Sequence, residues 1–95
     1  MIIINNNKNS ITINGHANFA KKGHDIVCAA ISAIVFGAIN SLKSINENEI
    51  KIKKSNILIK KNKMSNKDKI KLNMMMSQIQ TVAVNYPKNI KIIRS

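Results

Sequence analysis

Apolar positions along the chain recur with two different periods. Ile2 to Ile4 and then Ile11 and Ile13 are β-branched runs, and the polar segment Asn5 to Asn9 between them suits a turn joining two antiparallel strands. Asp25 is a good helix N-cap. The eleven residues after it, Ile-Val-Cys-Ala-Ala-Ile-Ser-Ala-Ile-Val-Phe, are apolar on nearly every face and predict a helix ending near Ser41 to Ser44. Alternation returns in Glu49 to Lys54, where Ile50 and Ile52 sit between charged residues, and Ile57, Leu58 and Ile59 follow within Asn56 to Lys60. These segments predict two more strands joined around Lys54 to Asn56. Ser65 and Asp68 match a capping box with Asp in the acceptor place, and Leu72, Met75, Met76, Ile79, Val82 and Tyr86 then recur at helical spacing. Pro87 stops that pattern, and Ile90 to Ile93 forms a last strand.

The predicted order is therefore β-β-α-β-β-α-β, an α/β (α+β) chain with a mixed sheet packed on two helices. Ninety-five residues suffice for one core and not for two, so residues 1–95 are expected to form a single domain. One sheet and one other helix leave part of the apolar first helix uncovered, which predicts burial in a homodimer. The stretch Ile26 to Ile39 is too short to span a bilayer, and Met1 to Asn7 carries neither a basic leader nor a small-residue cleavage site. A soluble protein with no membrane partner is expected. The methionines at 74 to 76 read as adaptable core packing.

Charge changes the expected surroundings. Sixteen Lys and Arg stand against four Asp and Glu, a formal charge of +12, and beyond position 50 only Asp68 opposes the lysines and Arg94. Such a basic half suits contact with ribosomal RNA. A genome favouring Asn, Ile and Lys codons would give the same composition with no such role. A non-catalytic RNA-binding module, built on Lys51, Lys53, Lys54, Lys60, Lys61 and Lys63, is thus one reading of the chain. Against it, Phe19, Phe36 and Tyr86 are the only aromatic residues, and Phe36 falls in the helix expected to be buried.

With one cysteine no internal disulfide can form, which fits a reducing compartment, the cytoplasm, and leaves Cys28 for chemistry or for packing. A lone cysteine on an apolar helix is most often a small buried hydrophobe. Position alters the balance here. If Asp25 is the cap, Cys28 is the third helical residue, where backbone N–H groups and the positive end of the helix dipole stabilise a thiolate. A thiolate that cleaves amides also needs an acid for the leaving amine, and imidazole titrates near neutral pH. His16 closes the second strand and can approach the helix start from across the loop, whereas His24 lies one residue before the cap; position favours His16 by a small margin. Cys28, His24 and His16 together could also form a metal site, but no second cysteine or carboxylate completes such a set, so no metal or cofactor is expected.

Gly15-His16-Ala17, then Gly23, then Asp25-Ile26-Val27-Cys28-Ala29-Ala30-Ile31-Ser32 closely resembles the signature of the ribosomal-processing cysteine protease family, with the histidine twelve residues before the cysteine. The resemblance implies that family's small homodimeric α/β fold. It also implies its activity, removal of a short N-terminal extension from large-subunit ribosomal protein number twenty-seven before ribosome assembly. Carried over by motif, Cys28 is the nucleophile and His16 its partner. Asp25 matches the motif's Asp, as helix cap and as a group that orients the site, while Ser32 reads as helix packing and His24 falls at a variable position. Gly23 marks a mobile loop that admits an extended peptide. Backbone N–H groups at the helix start are expected to hold the oxyanion. Lys21 and Lys22, inside that loop, imply a substrate preference that differs from the family's.

Overall fold

Two hairpins form where the β-branched runs predict them. β1 (Ile2–Asn6) and β2 (Ser10–Gly15) pair antiparallel, with Ile4 opposite Ile13. Asn7 shapes their turn: its Oδ1 accepts the backbone N–H groups of Asn9 and Ser10 at 2.8 and 2.9 Å. β3 (Ile50–Lys53) and β4 (Asn56–Lys60) pair antiparallel around a tight turn in which Ser55 takes a positive φ of 63°. β5 (Ile90–Arg94) lies parallel to β1, so the sheet, ordered β3-β4-β2-β1-β5, is mixed. The computed structural model describes residues 1–15, 25–43 and 49–95.

The helices α1 (Ile26–Ser41) and α2 (Asn66–Asn85) pack against each other and against one face of the sheet. Strand alternation decides what that face contributes. Ile2, Ile4, Ile11, Ile13, Ile59 and Ile90 are buried, and they meet Val27, Ile31 and Val35 of α1 and Leu72, Met75, Met76 and Ile79 of α2 in one core. Two of the three clustered methionines therefore fill the core as expected, while Met74 points to solvent, 62% exposed.

α1 differs from its expected surroundings. Its buried residues are Val27, Ile31 and Val35, a single stripe, and Ile26 and Phe36 are exposed at 55% and 39%. Phe36, read from sequence as part of a buried helix, therefore stands at the surface of the chain. α1 lies over the edge half of the sheet with α2 on one flank, and no other described element covers its outer side.

Asp68 joins the capped start of α2 to its surroundings. Ser65 Oγ accepts the Asp68 N–H at 3.2 Å, closing the N-terminal turn. The Asp68 carboxylate, 1% exposed, accepts the Lys43 N–H at 2.9 Å and pairs with Lys71 Nζ at 3.2 Å, so it ties the segment leaving α1 to the start of α2.

Candidate active-site cleft

The N-terminal half of α1, the end of β2 and the β3–β4 hairpin enclose an apolar cleft of about 390 Å³. Its floor is the buried side chains of Ile2, Ile13, Ile31 and Val35, and its rim carries Cys28, Ser32, Phe36, Lys53, Lys54 and Ser55. A second groove of about 540 Å³ runs between the helices, from Ala33 and Gly37 to Met74 and Gln78, and neither thiol nor imidazole lines it. The first cleft is the one with a nucleophile.

Cys28 is half-buried on the first turn of α1, at the cleft mouth. Asp25 stands at the N-cap in extended conformation (φ −80°, ψ 99°), and its Oδ1 accepts the N–H groups of both Val27 and Cys28 at 3.0 Å. The Asp25 carbonyl accepts the Ala29 N–H at 3.1 Å. Three amides of the first turn are thus committed to one residue. An oxyanion at the helix start would compete with the Asp25 carboxylate for the Val27 and Cys28 N–H groups.

The cap also sets the electrostatics of the thiol. A helix N-terminus favours a nearby anion, and the Asp25 carboxylate on the same turn opposes one. Asp25→Asn keeps the capping oxygen and removes the opposing charge, so alkylation of Cys28 by iodoacetamide near neutral pH should accelerate about fivefold. Slower alkylation in this variant would mean that Asp25 acts mainly by orienting a cationic partner.

His16, Gly23 and His24, together with Lys21 and Lys22, lie outside the described residues. Gly15, directly before His16, is described and lines the cleft. Its φ of 96° is one that L side chains rarely adopt, and a Cβ there would collide with the Met1 carbonyl oxygen. Its N–H donates to the Ser55 carbonyl at 2.9 Å, joining the end of β2 to the hairpin that forms the opposite wall.

Ser32, one turn after Cys28, is exposed and faces the cleft rather than packing into the core as read from sequence. The β3–β4 turn was missed as a part of the site, since nothing local in Lys53-Lys54-Ser55-Asn56 announces that it lines a cleft with Cys28, which lies in another element far away in sequence. Among the described residues, no three His, Cys, Asp or Glu side chains are grouped to hold a metal ion, and no helix is long and apolar enough to cross a membrane.

Known proteins resemble the chain in sequence and in fold. The family model described as cysteine protease Prp matches residues 1–91. The ribosomal processing cysteine protease Prp of Mycoplasma genitalium is 59% identical over 39 residues, 41% of this chain and 39% of that protein's length. The Bacillus subtilis protein of the same name is 54% identical over 33 residues, 35% of this chain and 30% of its own length. The chain thus matches well under half of each curated relative. Among solved structures, the essential ribosomal processing protease Prp from S. aureus, in complex with a covalently linked product peptide, superposes with a TM-score of 0.86 and 24% identity, covering 100% of both chains. That likeness establishes the fold.

Proposed function

The chain belongs to the cysteine protease Prp family, and from that premise we propose that it is a cysteine endopeptidase with a Cys28–His16 dyad, residues 1–95 forming one protease domain. The observation that carries the proposal is the half-buried Cys28 at the mouth of an apolar cleft, on the first turn of a capped helix. His16, the proposed partner, follows the cleft residue Gly15 directly in sequence, which supports the reading.

In the proposed reaction the Cys28 thiolate attacks the scissile carbonyl, His16 protonates the leaving amine, and water releases the acyl-enzyme. No metal or cofactor is needed for these steps. Negative charge developing on the substrate oxygen competes with the Asp25 carboxylate for the Cys28 N–H, so Asp25 both builds the helix start and limits its use as an oxyanion donor. Gly23 belongs to the loop that admits the peptide. The substrate is the short N-terminal extension of large-subunit ribosomal protein number twenty-seven, processed in the cytoplasm to support ribosome assembly. An apolar side chain of that extension sits over Ile2, Ile13 and Ile31, and the cationic rim of Lys53 and Lys54 favours neutral or acidic residues beside it. The exposed outer stripe of α1, with Ile26 and Phe36, supports a homodimer.

The test is incubation with the ribosomal protein carrying its native extension, followed by intact-mass spectrometry for wild type, Cys28→Ala and His16→Ala. Wild type should remove the extension, and each variant should lose at least about a thousandfold in rate, as members of a nucleophile–base pair do. An uncleaved substrate with wild type would sink the substrate assignment. Unchanged cleavage by Cys28→Ala would sink the dyad, and salt-dependent RNA binding unchanged by Cys28→Ala, with no cleavage by wild type, would favour a non-catalytic basic RNA- or ribosome-binding module.

A further inference from the structure

The sheet face turned away from the helices has a chemistry of its own. Because strand residues alternate sides and paired residues share one, the register sets out two rows across that face. One runs Lys51, Leu58, Thr12, Asn5 and Ile93, and the next runs Lys53, Asn56, Asn14, Ile3 and Lys91. Lys60 and Ser10 begin a third. Cations therefore stand on β3, β4 and β5, spread over about 19 Å from one sheet edge to the other at the usual strand spacing. Between them lie amides and hydroxyls.

No acidic residue occurs in any of the five strands. Of the chain's four acids, Asp25 is engaged as a cap, Asp68 is buried, Glu47 lies outside the described residues, and Glu49 stands before β3. Among the described residues the ion pair is Lys71 with Asp68, so Lys51, Lys60 and Lys91 have no described carboxylate to neutralise them. No described helix or strand covers this face.

We infer that the open face of the sheet is an RNA-binding platform that grips the sugar–phosphate backbone. Its lysines supply charge without stacking surfaces, since no aromatic residue lies in the strands, which suits phosphates rather than bases. Thr12 and Asn14, at its centre, offer hydrogen bonds of the kind a 2′-hydroxyl can complete, which favours RNA over DNA. The exposed Ile3 and Ile93 provide apolar contact for sugars. This surface is opposite the core and meets the cleft only at its edge, through Lys53 and Asn56, so the inference stands whether or not the chain is a peptidase.

Fluorescence anisotropy with a labelled single-stranded RNA tests it, with DNA of the same sequence and anionic phosphatidylglycerol vesicles as parallel arms. Lys51→Glu/Lys60→Glu/Lys91→Glu is compared with Lys67→Glu/Lys69→Glu/Lys88→Glu, an equal change of net charge placed on α2 and the loop after it. The face variant should weaken RNA binding at least tenfold and reduce the salt slope by about two, the value for three single-strand phosphate contacts. The helix-side variant should stay within about twofold, and the face variant should keep wild-type peptide cleavage. Should the glutamates prevent folding, Lys51→Gln/Lys60→Gln/Lys91→Gln must give the same ranking. Equal losses in both sets would mean that overall charge, not this face, binds RNA, and would overturn the inference. Binding of DNA or vesicles as tight as that of RNA would overturn it too.

Discussion

Gly15→Ala should lower stability by about 3 kcal/mol and the melting temperature by roughly 15 °C, and it should abolish peptide cleavage at temperatures where the variant is still folded. Two costs combine at this position. A side chain at a φ of 96° is strained by itself, and the added Cβ would lie against the Met1 carbonyl oxygen, so β1 must shift where Ile2 is buried beside it. The loss of activity follows from the same geometry, since Gly15 lines the cleft, holds the β3–β4 turn through Ser55 and directly precedes His16. Gly37→Ala is the matched control. Gly37 lies inside α1 with nothing within 4 Å of an added Cβ, so the same substitution there should raise stability by up to about 1 kcal/mol. Thermal melts and cleavage assays on both variants check the pair, and equal melting temperatures would refute the argument for Gly15.

The glycine of the Gly15-His16-Ala17 block thus has a physical reason that the sequence by itself does not disclose. Seven elements were legible because each has a strong local period or a cap: isoleucine alternation for the strands, Asp25 and Ser65 for the helix starts, Pro87 for the end of α2. The pairing of those elements is a non-local fact. Nothing in Ile90 to Ile93 states that it lies parallel to β1, and nothing in Lys53 to Asn56 states that its turn walls the cleft beside Cys28. That part of α1 stays uncovered within the chain was legible, but which part was not: helical geometry gives the sheet the stripe through Val27, Ile31 and Val35 and leaves Ile26, Ala29, Ala33 and Phe36 outside it. The cap bonds of Asp25 follow from its reading as the N-cap, and they draw on the same donors that an oxyanion site at the helix start would use.

That competition bears on how the helix start can serve a nucleophile. A cap that accepts two N–H groups fixes the first turn and so fixes where the Cys28 side chain leaves the helix, which is a gain in orientation. Its charge opposes the thiolate stabilisation that the dipole offers, so at this turn Asp25 contributes orientation to Cys28 at an electrostatic cost.

Asp68→Ala should cost about 3 kcal/mol, the largest stability loss of any surface-to-core polar substitution in α2, with Asp68→Asn at about 2 and Lys71→Met at about 1. The ranking comes from burial. Asp68 is 1% exposed and accepts both the Lys43 N–H and the Lys71 ammonium, while the Lys71 side chain is 33% exposed and reaches on to the Ser41 carbonyl at 2.6 Å. Removing the carboxylate leaves an enclosed N–H unpaired and an ammonium beside the C-terminal end of α1 without its counter-ion. Asparagine restores one acceptor oxygen but turns its amide N–H₂ toward a donor. Removing Lys71 exposes less, because water reaches a side chain one-third open and the Asp68 carboxylate keeps the Lys43 N–H. Because Asp68 ties the end of α1 to the start of α2, its loss should loosen both helices together, and urea unfolding should keep its slope while the midpoint falls. A midpoint for Asp68→Ala within the range of Lys71→Met would show that the carboxylate contributes no more than its pairing with Lys71.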